Sequence, residues 1–166
     1  VKYVNHGIYL QRKTIESNRN YFGKTGILTI ADIKTINGIA VRYNYDEFIV
    51  EEFSTKKEVL EYFDGLLERV DIIPEKMIIA QGIIESGWGR SKSARECNNY
   101  FGLTCRNCGG YVVTSNPNAV YYLKKYETLG DCIQDYANIL NTKSSYISFR
   151  KIRSDMRKNH RELNSQ

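Results

Sequence analysis

Several things are scarce in this chain of 166 residues. It has two prolines and one tryptophan, and its turn signals lie far apart, which disfavours a many-stranded β fold. No run of 18 apolar residues occurs, so no helix is long enough to span a bilayer. There is no internal repeat, no low-complexity linker, no Gly-rich phosphate loop and no nucleic-acid motif. The two histidines, His6 and His160, sit near the chain ends with no visible link to the cysteines, which argues against a thiol–imidazole nucleophile. The first residue is Val1 rather than Met; this is expected of a product trimmed of its targeting segment. What remains is an ordinary globular balance, 42% hydrophobic and 26% charged, on a length that suits one domain with a sizeable core. A net charge of +5 favours anionic partners mildly. Thirteen tyrosines stand out, because their rings stack on sugars while their hydroxyls hydrogen-bond.

Periodicity predicts about six helices around one small β insertion. Residues 5–21 read as a polar helix broken by Gly23 and Gly26. Thr29 caps a second helix with Ile33, Ile36, Ala40 and Tyr43 on one face, and residues 44–53 are loop or a short strand. Thr55 and Glu58 form a capping box ahead of the stripe Val59, Leu60, Phe63, Leu66, Leu67 and Val70. Pro74 and Glu75 open the next helix. From Met77 to Ile84 six of eight residues are apolar, which predicts a helix buried nearly all round. After the glycines of Glu85-Ser86-Gly87-Trp88-Gly89 comes a short helix over 90–95. Strands are expected at 111–114 and 119–123 about a turn at 115–118. A Thr128–Asp131 capping box opens a helix with Ile133, Tyr136, Ala137 and Leu140 inward, and a basic helix over 145–157 follows. The fold class is mostly α (α+β): one domain over 1–166, with a helical extension over 1–58, a core over 59–157 and a β-hairpin lobe at about 103–125.

Glu85 is the first candidate catalytic residue. At the C-terminal end of a buried apolar helix, lost solvation and the negative end of the dipole would both keep a carboxyl protonated. A protonated acid near neutral pH is what glycoside cleavage needs, since the leaving oxygen must take up a proton. The glycines after it would let an extended chain approach, and Trp88 offers a stacking face.

The run Ala80-Gln81-Gly82-Ile83-Ile84-Glu85-Ser86-Gly87-Trp88-Gly89-Arg90-Ser91, followed by Ala94-Arg95-Glu96-Cys97-Asn98-Asn99-Tyr100-Phe101-Gly102, resembles the glucosaminidase domain of glycoside hydrolase family 73. Leu123 to Thr128 and Asp135-Tyr136 are similar to that family's later segment. Cys105 and Cys108, with Arg69 to Pro74 upstream, resemble its Bax-type branch. The resemblance covers about Leu60 to Arg157. It implies a lysozyme-like helical fold and an endo-β-N-acetylglucosaminidase that cleaves β-1,4 bonds of peptidoglycan. By the family pattern Glu85 is the acid, Ser86 to Gly89 floor the glycan cleft, and Asn98 to Gly102 hinge the β lobe. The expected substrate contacts are Gln81, Ser86, Trp88, Asn98, Asn99, Tyr100, Phe101, Tyr111 and Tyr121. No metal or cofactor is implied. The expected partner is the glycan strand, met by a monomer outside the cytoplasm.

Two departures from the pattern matter. The stretch from Leu103 to Tyr126 holds no Asp or Glu, although paired-carboxylate glycosidases need a second acid. Glu96 is the replacement candidate, while Glu127, Asp131 and Asp135 are others, the first two suiting a helix start. Failing a partner, the substrate's N-acetyl group or a sugar hydroxyl would attack, the latter making a lytic transglycosylase. A binding module without turnover is the remaining reading. The family's further helix bearing an active-site tyrosine is not found before Gln166, so that group is expected to be either truncated or replaced, with Tyr126 as the substitute candidate. Six basic residues against one acid between Arg90 and Lys125 suit an anionic glycan. The basic cluster from Lys143 to Arg161 is read as a solvent-facing side, with wall-polymer binding as the alternative. For the cysteines three states stay open: disulfides 105–108 and 97–132, a zinc site, or free thiols.

Overall fold

The computed structural model describes residues 1–106, 111–112, 122–161 and 163, with 111–112 described as backbone. The expected turn at 115–118, Cys108 and Tyr121 lie outside the described residues. Seven α-helices occur among the described residues: α1 (Lys2–Thr25), α2 (Ile30–Arg42), α3 (Lys56–Arg69), α4 (Glu75–Ser86), α5 (Lys92–Cys97), α6 (Leu129–Thr142) and α7 (Ile147–Lys158). Three two-residue strands accompany them: β1 (Thr104–Cys105), β2 (Tyr111–Val112) and β3 (Tyr122–Leu123). The fold class is mostly α with a small antiparallel sheet, as the sequence predicts. The sheet is more than a hairpin, because β3 pairs with both neighbours in the order β1-β3-β2. Thr104 lies opposite Leu123, and Tyr111 lies opposite Leu123 on the other side.

Helix starts follow the capping chemistry. Thr29 accepts from the Asp32 amide while Asp32 accepts from the Thr29 amide, and Thr55 and Glu58 do the same for α3. The Thr128–Asp131 pair repeats the arrangement before α6. Pro74 is the N-cap of α4 rather than its first helical residue. α1 runs past Gly23 and ends only where Gly26 turns left-handed at φ 72°.

The chain divides into two compact units, residues 1–4 with 73–137, and residues 5–72 with 138–163. The second is held by an aliphatic and aromatic core that includes Ile15, Ile36, Phe63 and Leu66, all fully buried. It also contains a buried ionic cluster. Asp71, 1% exposed, takes a bidentate pair from Arg157 at 3.0 and 2.8 Å, with Arg12 at 3.4 Å and Arg153 at 3.8 Å. Burial pulls the Arg153 guanidinium down to about 10, an effect that Asp71 opposes. The reading of the C-terminal basic cluster as a solvent-facing side holds for Lys143, Lys151, Lys158 and Arg161, which are exposed, and is corrected for Arg150, Arg153 and Arg157. Arg150 and Arg153 are each 2% exposed and donate to backbone carbonyls.

The first unit carries the candidate site. Its core holds Ile73, Ile78, Ala94, Cys97, Cys132 and Ala137. Phe101 lies flat on Tyr136 with ring centres 4.0 Å apart and an interplanar angle of 3°, a close aromatic stack.

Candidate functional site

The expectation of an α4 buried all round is corrected. Only Ile78, Gly82 and Ser86 of α4 are buried, and they lie on one arc because four-residue steps return to the same face. Ile79 is 51% and Ile84 72% exposed. Glu85 is therefore also exposed, and the lost solvation expected from its helix is not present. Its Oε1 accepts a hydrogen bond from Gln81 Nε2 at 2.8 Å, one helical turn earlier.

Beyond Glu85 the backbone coils tightly. Gly87, Trp88 and Gly89 all have positive φ, at 56°, 63° and 73°. For a tryptophan that conformation is strained and persists only where the surroundings enforce it. Ser86 is what enforces it: its hydroxyl donates to Gly82 O and accepts from the Gly89 amide at 2.8 Å, while its carbonyl accepts from the Ser91 amide. Gly89 has a second reason to be glycine, since a Cβ there would stand 3.3 Å from the Tyr100 ring. The coil presents Trp88 to solvent at 73% exposure. Beside it opens a cavity of about 390 Å³ lined by Ile79, Gly82, Ile83, Trp88, Tyr100 and Leu129 among others; Gln81 and Glu85 are not part of that lining.

Asn98 and Asn99 tie the strands to α5. Asn98, at φ 51°, donates to the carbonyls of Tyr126 and Glu127. Asn99 is fully buried; its amide donates to Leu103 O and Lys124 O and its oxygen accepts from the Leu103 amide. Every polar atom of that side chain is used on backbone, at the foot of the β1–β3 pairing. Phe101 is 8% exposed and engaged with Tyr136. Tyr111 is described by its backbone in β2.

The remaining candidates are spread out. Glu96 is exposed on α5 with Lys92 at 4.0 Å. Tyr126 donates its hydroxyl to Asp135 Oδ2 at 2.6 Å, and Lys124 meets the same oxygen at 2.7 Å. Burial first, then that carboxylate, pushes the Tyr126 phenol well above its ordinary range. The sequence offers Tyr126 and Asp135 as separate candidates but not as a pair, because their nine-residue separation crosses a helix start.

The expected 97–132 disulfide is corrected: Cys97 and Cys132 are free, buried thiols. Burial raises the Cys132 thiol above the usual range, an effect that the nearby backbone of Tyr100 and Phe101 opposes. Cys105 is disulfide-bonded, so its sulfur is unavailable to zinc. Among the described residues no group of three or more His, Cys, Asp or Glu is placed to hold a metal ion.

The match that decides the family lies over this unit and beyond. The family described as mannosyl-glycoprotein endo-β-N-acetylglucosaminidase matches residues 60–165. The chain belongs to the glucosaminidase family. Protein bax of Escherichia coli K12 is 40% identical to this glucosaminidase-family chain over 103 residues, which is 61% of the chain and 36% of that relative. The chain thus spans about a third of that protein's length. No solved structure matches. The matched range takes in Gln81, Glu85, the Gly87–Gly89 coil, the Asn98–Asn99 clamp and the Tyr126–Asp135 pair.

Proposed function

We propose that this chain is the catalytic domain of an endo-β-N-acetylglucosaminidase that cleaves β-1,4 bonds in bacterial cell-wall glycan, with Glu85 as general acid. The observation that carries the reading is the disposition of Glu85. Its carboxyl is exposed, oriented by one amide donor, and followed by a strained coil that holds an aromatic face in solvent. An exposed acid can be reached by a polysaccharide. A sugar chain laid over α4 would strip water from the carboxyl and disfavour its ionised form, so the substrate supplies the desolvation that the free protein lacks. Trp88 then gives a flat apolar face for a ring, and Gly87 and Gly89 keep side chains out of the path.

The disulfide at Cys105 fits action in an oxidising, extracytoplasmic compartment. No described helix is long and apolar enough to cross a membrane. The absence of Asp and Glu between Leu103 and Tyr126 favours attack by the substrate's own N-acetyl group over a protein carboxylate. The same absence supports a second reading, a lytic transglycosylase, or a module that binds glycan without cutting it. Mass analysis of fragments released from purified sacculi separates them. Reducing N-acetylglucosamine ends support the proposal, and anhydro-muramic ends the transglycosylase. Bound protein with no soluble fragment would leave only the binding module.

A further inference from the structure

We infer that Gln81 is a positioning residue for Glu85: by occupying carboxyl oxygen Oε1, its amide leaves Oε2 as the oxygen that carries and delivers the proton. The inference rests on the proposed role of Glu85 and assigns Gln81 a place in the mechanism other than substrate contact. Gln81 Nε2 lies 2.8 Å from Oε1, within the range of a well-formed bond. The two residues are four apart on one helix, so their side chains meet without help from a loop. α4 is fixed behind them by the buried Ile78, Gly82 and Ser86.

The chemistry follows from the donor. A side-chain amide nitrogen offers hydrogens and no lone pair. A proton on Oε1 would point at another hydrogen, so the neutral acid carries its proton on Oε2 with Oε1 as the carbonyl oxygen. When the C1–O bond breaks, its electron pair goes to the leaving oxygen, which takes the proton from Oε2. The nucleophile, an N-acetyl oxygen or water, supplies the pair for the new bond at C1. The glutamate is left as a carboxylate still hydrogen-bonded to Gln81. That bond strengthens as charge develops on the acceptor, so it acts on the step rather than on glycan binding.

The test is the pH dependence of kcat and KM for glycan cleavage by wild type, Gln81→Met, Gln81→Lys and Glu85→Gln. Met fills a similar volume without a donor, and Lys restores a donor with added charge. Gln81→Met is expected to lower kcat about 5–10-fold with KM nearly unchanged. It should also move the high-pH limb upward by about half a pH unit. Gln81→Lys should move that limb downward. A purely structural role would not displace the limb in opposite directions. If Glu85→Gln is inactive while Gln81→Met keeps the wild-type kcat and limb, the positioning role fails and the assignment of Glu85 stands. A raised KM at unchanged kcat in Gln81→Met would also overturn it, by making Gln81 a substrate contact. If Glu85→Gln retains wild-type activity, the underlying reading fails instead.

Discussion

Replacing Asn99 by alanine should loosen the root of the sheet more than its size suggests. The side chain is fully buried and makes three bonds of 2.8–2.9 Å to the backbone of Leu103 and Lys124. Leu103 O keeps a second partner in the Lys124 amide, so truncation orphans two groups, Leu103 N–H and Lys124 C=O. Each unsatisfied buried group costs about 1–3 kcal/mol; because both are partly buried, a total of about 2–4 kcal/mol follows. For a chain of this size that is a fall in Tm of about 4–16 °C. Asn99→Asp is a sharper probe. It keeps the acceptor for Leu103 N–H but turns a carboxylate oxygen toward two carbonyls, so it should be at least as damaging at pH 7 and partly recover in acid, where the carboxyl gains a proton. Thermal unfolding of wild type and both variants, with glycan cleavage measured on the same preparations, gives the answer. An Asn99→Ala protein within 1 °C of wild type would refute the clamp.

Three further outcomes follow from the same structure. Asp71→Asn leaves Arg12, Arg153 and Arg157 without their shared buried counter-charge and should cost about 3–5 kcal/mol in urea unfolding; a loss under 1 kcal/mol would contradict it. Burial raises the Tyr43 phenol to about 12 in the folded protein. The unfolded chain therefore gives up that proton first, and the stabilisation, whole below pH 10, is lost as pH climbs toward 12. The advantage of wild type over Tyr43→Phe should shrink by about 1 kcal/mol between pH 9 and 11, and a constant difference would refute it. Cys97 and Cys132 should resist a thiol reagent in the native state and react in denaturant. A Cys97→Ser, Cys132→Ser double variant that gains no fewer thiols on unfolding than wild type would show that they were bonded.

Local chemistry was legible in the sequence and distant partnership was not. Thr29, Thr55 and Thr128 announce three helix starts because a cap and its acceptor lie within one turn. The stripe on α3 reads true, with Val59, Phe63 and Leu66 buried. β1 could not be read because a two-residue strand has no alternation and exists only through its pairing with β3. Arg150 and Arg153 looked like solvent charges, since the carbonyls they reach at 68–72 and 140–143 are remote or lie across a turn. α4 misled in the opposite sense: an apolar run says what a helix can bury, and Ile79 and Ile84 are left in solvent. At the site, the order of Gln81, Glu85 and the glycines was visible. The saturation of Asn99 and the pairing of Tyr126 with Asp135 were not, because only the fold brings those partners together.

Release of soluble fragments from purified sacculi by wild type and by Glu85→Gln, each first shown to be folded by circular dichroism, tests the central assignment most directly. Removing the proton donor while keeping the shape and the Gln81 neighbour should lower the rate by about 10²–10⁴-fold. Equal release by the two proteins would contradict it.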